Sequence, residues 1–291
     1  MRTLIFGGTG MLGCALVAEG RRRGYPALGL SRHQADICNR AAVDYWVEAF
    51  RPDLIVNSAA FTRVDDCETR RDHALEVNGR AVGNVAAAAA TAGARLVQPS
   101  TDYVFDGSST TPYREDATTG PISAYGESKL LGEQQALAYE RALVVRVSWL
   151  FGPGGPNFVA TMIRLMREGR RELRVVDDQV GGPTYTPFLA QAIYDLAASD
   201  QRGVLHYQNR EPVSWCGFAR EIARLWDPEV QVVPLTTAEY PLPARRPAYS
   251  VLDVSRCEQA LGRRVEAWSL GLADLLNRQF LSPVARRGAA T

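Results

Sequence analysis

Gly7-Gly8-Thr9-Gly10-Met11-Leu12-Gly13 follows the apolar run Thr3-Leu4-Ile5-Phe6 and opens a stretch, 11–23, whose apolar residues recur at helical spacing. Glycines at 7, 10 and 13 let the backbone turn tightly and approach a ligand closely. The helix that follows aims free N–H groups and a partial positive charge at the same point. Strand, glycine turn and helix in this order are the context in which such a pattern holds the pyrophosphate of a dinucleotide. Gly7, Thr9, Gly10, Met11 and Leu12 are therefore candidate cofactor contacts.

The alternation continues outward from this turn. Strand-like runs occupy 3–6, 27–30, 53–57, 95–98 and 143–147, and helix-like segments occupy 11–23, 41–49, 72–92 and 124–138. Strand, helix, strand repeated in this way implies an α/β fold, a doubly wound Rossmann-type parallel sheet that binds ligands beyond the carboxyl ends of its strands. After Trp149 the rhythm changes. A Gly/Pro loop at 152–156 and prolines at 183, 187, 212, 228, 234, 241, 243 and 247 predict a smaller, irregular C-terminal substrate lobe. The expected division is 1–150 as the dinucleotide-binding domain, with a segment returning to it near 184–212. The substrate lobe then comprises 151–183 and 213–291. Residues after Leu281 read as a fraying tail.

Bulk properties narrow the function classes. A net charge of +1 over 291 residues offers no electrostatic footprint for nucleic acid or a membrane surface. Arg21-Arg22-Arg23 and Arg170-Arg171 read as solvated helix or turn residues. The cysteines at 14, 38, 67, 216 and 257 are odd in number and form no C-x-x-C pair, which fits a reduced, cytoplasmic protein and argues against a zinc ribbon. The histidines at 33, 73 and 206 are dispersed, and no metal motif is visible. No run of about 18 apolar residues is present, so no membrane span is expected, and the N-terminus does not read as a signal peptide.

At the end of the second strand, NAD-binding proteins often carry an acid for the ribose 2′-hydroxyl. Here the chain reads Leu30-Ser31-Arg32. A hydroxyl and a guanidinium suit a 2′-phosphate instead, because arginine forks bidentately onto it. NADPH is the expected cofactor, with NADH possible. Asp36 and Ile37 follow as candidates beside the adenine; for Asp36 the alternative is an N-cap before a helix at 39–43.

Tyr125-Gly126-Glu127-Ser128-Lys129 sets a phenol and an ammonium four residues apart, on one face of a helix. A nearby ammonium stabilises a phenolate, so Lys129 is expected to lower the Tyr125 pKa and suit it to proton transfer with a carbonyl or alcohol. The same lysine can hold the nicotinamide ribose. Ser100-Thr101 follows the fourth strand, where active-site groups sit in this fold, and one of the two is expected to donate to the reacting oxygen. Together with the glycine turn, Thr101, Tyr125 and Lys129 form the candidate catalytic set of a hydride-transfer enzyme.

These motifs resemble the extended short-chain dehydrogenase/reductases and, within them, the dTDP-4-dehydrorhamnose reductase family. The resemblance runs through 57–65, Val77-Asn78, 100–107, 125–133, 146–152, Asp178-Gln179-Val180-Gly181-Gly182-Pro183-Thr184 and 246–253. It implies reduction at C4 of a nucleotide-linked 4-dehydro-6-deoxysugar, dTDP-4-dehydro-L-rhamnose to dTDP-L-rhamnose above others. Tyr125 would protonate the oxygen, Lys129 would tune Tyr125 and bind the ribose, and Thr101 would polarise the carbonyl. Val64, Asp102, Tyr103 and Trp149 would line the sugar pocket, Trp149 with a flat apolar face. Ala59, Ala60 and Phe61 would pass along the cofactor, and Asn78 would support the active-site backbone. Related dehydratases carry an Asp-Glu pair after the threonine; Tyr103 replaces that second acid here, which argues against water elimination. Some members dimerise through magnesium held by glutamates, one of them early in the first helix; 11–16 contains no acid, and no metal is expected. A monomer or homodimer is anticipated. Two other readings stay open: a 4-ketoreductase making a different deoxysugar, and a non-catalytic subunit resembling the regulatory partner of methionine adenosyltransferase. Intact Thr101, Tyr125, Lys129 and Trp149 favour the enzyme.

Overall fold

β1 (Thr3–Phe6) is buried at every position, as an unbroken apolar run must be when both faces of its sheet are covered. The computed structural model describes residues 1–280, so the expected fraying tail lies outside the described residues. Four more strands accompany β1 through the first half: β2 (Ala27–Leu30), β3 (Leu54–Asn57), β4 (Arg95–Thr101) and β5 (Ala142–Val147). The next four are β6 (Leu150–Phe151), β7 (Glu172–Val176), β8 (Val180–Gly181) and β9 (Thr184–Tyr185), all but β7 only two residues long, before β10 (Gly203–Tyr207). The main sheet has six strands in the order β10-β5-β4-β3-β1-β2, and every pairing is parallel. The chain leaves β1 toward β2 and returns to β3 on its other side. That switch point opens a crevice beyond the carboxyl ends of β1 and β3.

Helices close both faces. On one lies α1 (Met11–Arg22), whose Leu12 and Leu16 pack with Leu189, Ile193 and Tyr194 from a later helix, 186–198. On the other, α2 (Arg40–Phe50) contributes Val43 and Val47. Leu16 is fully buried; truncating such a leucine to alanine costs about 2–5 kcal/mol.

The segment expected as one helix over 72–92 is instead divided. After α3 (Val64–Thr69) and α4 (Arg71–Ala74) comes a π-helical turn, Leu75–Arg80, and only then α5 (Ala81–Ala92). A π turn admits an extra residue and re-aims the side chains on it, and periodicity alone carries no mark of it. Two smaller expectations also change. Asp36 is not a helix N-cap; Asn39 is, accepting the Ala42 N–H at 3.2 Å. Arg23 is not simply solvated: it bonds Glu19 at 2.6 Å and Asp195 at 2.8 Å and lies over the Tyr194 ring, tying α1 to the 186–198 helix.

α6 (Ala124–Leu137) leads into β5. Past β5 come α7 (Phe158–Arg167), α8 (Thr186–Ala198), β11 (Val213–Ser214), α9 (Trp215–Trp226) and β12 (Gln231–Leu235). Two further α-helices follow, α10 (Ser255–Leu261) and α11 (Trp268–Leu275), the latter running into a π-helical turn at Leu276–Phe280. β7 pairs with β12, β8 with β11 and β6 with β9, as two-stranded ribbons. α7, α9 and α11 share a separate core around Phe151, Phe218, Ile222 and Leu272. β10 meanwhile returns to the main sheet beside β5.

Candidate active site

The glycine turn is closed on three sides. Gly7 has φ 72°, and a Cβ there would lie 2.6 Å from the Ala59 nitrogen. A Cβ on Gly13 would lie 2.2 Å from the Gly7 carbonyl oxygen, so helix and strand meet only through glycine. Gly10 differs: a Cβ there meets nothing closer than the Gly7 oxygen at 3.3 Å, because this residue faces outward with exposed Thr9. No side chain caps α1 and its first turn has no acid, so its leading N–H groups stay available to an anion. The cradle fits a dinucleotide pyrophosphate. Leu12 can join it only through its backbone, since its side chain belongs to the core.

At the end of β2 the Ser31 hydroxyl bonds Gln34 at 2.8 Å. Arg32 reaches Asp36 at 3.3 Å with its side chain 69% exposed. Desolvation works against the Asp36 charge, but the Cys38 N–H and Arg32 hold its carboxyl below the usual range. Ile37 is buried in the core beneath this edge, and its carbonyl is taken by Asn84 at 2.9 Å.

The π turn places Asn78 under the β3 loop. Its Oδ1 accepts the Phe61 N–H at 2.7 Å, and its Nδ2 donates to the Phe61 carbonyl at 2.9 Å and to the Ser128 hydroxyl at 3.0 Å. One buried amide thus ties Phe61 of the β3 loop to Ser128 of α6. Val64 opens α3 just beyond this loop, half-buried.

α6 begins at Ser123, whose hydroxyl accepts the Gly126 N–H at 3.2 Å. Tyr125 and Lys129 stand one turn apart on it. Lys129 is buried and donates to the Pro99 carbonyl at 2.8 Å. Burial lowers its pKa to about 8, opposed by the Glu133 charge. Glu133 is in turn gripped by Arg146, Nη2 to Oε2 at 2.8 Å, and by the Ser100 hydroxyl at 2.5 Å. Ser100 therefore faces that ion pair, which leaves Thr101 as the hydroxyl at the strand end. The expectation for the phenol is corrected. Tyr125 stands above its ordinary value, because burial and the Asp102 charge outweigh the Thr101 hydroxyl that pulls it down. Burial wins because the Lys129 ammonium is directed to Pro99.

Thr101 donates to Asp102 Oδ1 at 3.0 Å and accepts the Tyr103 N–H at 3.2 Å. Tyr103 meets Tyr125 edge-on, ring centroids 5.9 Å apart. Asp102 is buried, and its Oδ2 has no hydrogen-bond partner among the described residues.

Trp149, just past β5, has φ 44°. Its indole stacks on Trp215 of α9, and a Cβ on Gly181 would lie 2.6 Å from the ring. One flat face is thus covered by a tryptophan that sequence reasoning passed over. Trp215 also lines a cavity of about 650 Å³ with Tyr103, Arg174, Gln179, Tyr240 and Arg246. Arg246 grips Asp65 of α3 with both guanidinium nitrogens at 2.7 Å. Both ends of that pair lie in stretches singled out by resemblance, 57–65 and 246–253, but their pairing had no signal in spacing. Trp215 had none at all.

The RmlD substrate binding domain family model matches residues 1–280. A dTDP-4-dehydrorhamnose reductase of Streptomyces griseus is 42% identical over 282 residues, spanning 94% of this chain and 92% of that protein. The spore coat polysaccharide biosynthesis protein SpsK of Bacillus subtilis is 40% identical over 279 residues, spanning 96% and 98%. Among solved structures, a dTDP-4-dehydrorhamnose reductase from Bacillus anthracis in complex with NADP superposes with a TM-score of 0.90 at 36% identity, covering 96% of this chain and 99% of that one. The chain belongs to the dTDP-4-dehydrorhamnose reductase family of Rossmann-type, NAD(P)H-dependent oxidoreductases.

Proposed function

We propose that this protein reduces the C4 keto group of a nucleotide-linked 4-dehydro-6-deoxysugar, dTDP-4-dehydro-L-rhamnose to dTDP-L-rhamnose, with NADPH as the preferred donor and NADH as a possible one. The observation that carries this reading is the meeting of the Thr101 and Tyr125 hydroxyls, with Lys129 one turn along α6, in a chain that also holds a glycine cradle shaped for pyrophosphate.

Gly7, Thr9, Gly10, Met11 and Leu12 would hold the pyrophosphate, Ser31 and Arg32 the 2′-phosphate, and Ala59, Ala60 and Phe61 the edge of the cofactor. NADPH bound there supplies a hydride to C4. Tyr125 delivers the proton to the C4 oxygen and Thr101 donates a hydrogen bond to it, so negative charge does not build up on an unpartnered oxygen. A phenol held above its ordinary pKa is protonated at neutral pH, which suits an acid in the reductive direction. Lys129, fixed by Pro99, keeps a positive charge beside the ribose.

Val64, Asp102, Tyr103 and Trp149 would surround the sugar. The cavity beyond Tyr103 suits a nucleoside diphosphate: Arg174 matches the diphosphate, and Trp215 offers a stacking face to the base. We assign 1–150 and a returning segment near 184–212 to the cofactor domain, and 151–183 and 213–291 to the substrate lobe. Five free cysteines support a cytoplasmic setting. Reduction to a different deoxysugar is the second reading, favoured by a relative at 40% identity whose name places it in spore coat polysaccharide synthesis.

Incubation with dTDP-4-dehydro-6-deoxy-L-mannose and NADPH tests the assignment. Loss of nicotinamide absorbance with dTDP-L-rhamnose identified by NMR is expected; no oxidation of NADPH counts against it.

A further inference from the structure

Thr101 has one hydroxyl proton, and in the structure that proton goes to Asp102 Oδ1 at 3.0 Å. The Thr101 Oγ1 also accepts the Tyr103 N–H at 3.2 Å. A hydroxyl engaged in this way has no proton left for a carbonyl oxygen, yet the reduction needs one there.

We propose that Asp102, beyond its place at the sugar, positions Thr101: its protonation decides where the Thr101 hydroxyl points. Neutral Asp102 donates to Thr101 and frees the Thr101 proton for the substrate oxygen; ionised Asp102 draws that proton away. The inference rests on the reading of Thr101 as donor to the C4 oxygen.

The geometry favours the neutral acid. Asp102 is 2% exposed, and its Oδ2 has no partner within hydrogen-bond distance among the described residues, although the Ser250 hydroxyl lies near the carboxyl. An ionised carboxylate buried with an orphan oxygen is costly, and a neutral one much less so. The ionisable groups around it are phenols: Tyr103 on the same turn and Tyr125 from α6, each of which is pushed above its ordinary range by burial and by the Asp102 charge. Beyond Tyr103, Arg246 and Asp65 satisfy one another, and Lys129 is turned to Pro99. Burial pushes Asp102 up to about 7, opposed by the Ser250 and Thr101 hydroxyls, so both forms exist near neutrality. Asp102 keeps its proton through the cycle: hydride reaches C4 from the cofactor, and the proton on oxygen comes from Tyr125.

The sign follows. Activity that needs neutral Asp102 falls as pH rises through its pKa, about tenfold per pH unit. In Asp102→Asn the amide donates to Thr101 at every pH, so the fall moves upward to the limb set by Lys129 near 8. Thr101→Ser keeps the hydroxyl and the wild-type limb. The test is kcat/KM against pH for these proteins with NADPH and the keto-sugar, paired with infrared difference spectra of the NADPH-bound enzyme without sugar. A carboxylic-acid band present at about pH 6, lost by about pH 8.5 and missing in Asp102→Asn, is expected. An unshifted limb in Asp102→Asn, or no such band in the wild type, overturns the proposal. A band of this kind with no turnover of the sugar counts instead against the substrate assignment.

Discussion

The Trp149 indole lies flat on Trp215, ring centroids 3.5 Å apart and planes 8° from parallel. Trp149 adopts a left-handed backbone, φ 44°, which a bulky residue holds only when its surroundings enforce it. Trp215 stacked on the ring and the bare backbone of Gly181 packed against it provide that enforcement. Trp215 also lines the cavity of about 650 Å³, so the stacked pair packs against that cavity's wall.

Trp215→Ala is therefore expected to release Trp149 and raise KM for the nucleotide sugar about tenfold, a loss of roughly 1.4 kcal/mol. Trp215→Phe, which keeps a stacking face, should stay within about threefold of wild type. Near-UV circular dichroism should lose its coupled indole signal in the alanine variant alone. An unaltered KM in Trp215→Ala would remove the bracing role.

Asp65 and Arg246 join α3 to the segment that walls the cavity, and both are partly covered, at 35% and 14% side-chain exposure. Asp65→Asn keeps the shape and removes the charge, and the lost charge-assisted bonds are worth roughly 1.5–3 kcal/mol before solvent screening reduces them. A several-fold rise in KM with kcat within about twofold is expected from initial-rate kinetics. A fall in kcat at constant KM would place the pair in the chemistry instead.

Lys129 carries a cost for its position. Its folded pKa, near 8, lies below the ordinary 10.5 because burial disfavours the ammonium. Over that window the unfolded chain binds more protons than the folded one, so stability rises with pH from about 8 to about 10.5. Lys129→Met is expected to raise the urea midpoint at neutral pH, to flatten that rise, and to abolish turnover. Equal pH slopes in the two proteins would contradict the buried-ammonium picture.

Much of this was legible in the chain. The β1 run and the 7–13 glycines prescribe strand, turn and helix because each is a local rule, and α1 and β1 formed where those rules put them. Tyr125 and Lys129 were legible because helix periodicity alone sets them on one face. The π turn at Leu75–Arg80 was not, since a single inserted residue leaves the apolar period nearly intact. The direction of the Tyr125 shift was missed because spacing shows proximity but not where the Lys129 ammonium points, and Pro99 takes it. Trp215 and the Asp65–Arg246 pair were missed because they are contacts between residues far apart in the chain, which local spacing does not encode.

Arg32 tests the cofactor reading. Its contact with Asp36 is exposed and worth at most about 1 kcal/mol, so the guanidinium is free to turn to a 2′-phosphate. Arg32→Ala should lower kcat/KM for NADPH about tenfold and leave that for NADH within about twofold. An unchanged ratio between the two cofactors would mean that Arg32 does not read the phosphate.

The most direct measurement is turnover of Tyr125→Phe beside its affinity for NADPH, titrated by the quenching of tryptophan fluorescence. Loss of the phenolic proton should cut kcat by roughly 10²–10⁴ while the NADPH Kd stays within about threefold of wild type. Turnover within a few-fold of wild type would show that the proton reaches the sugar from elsewhere.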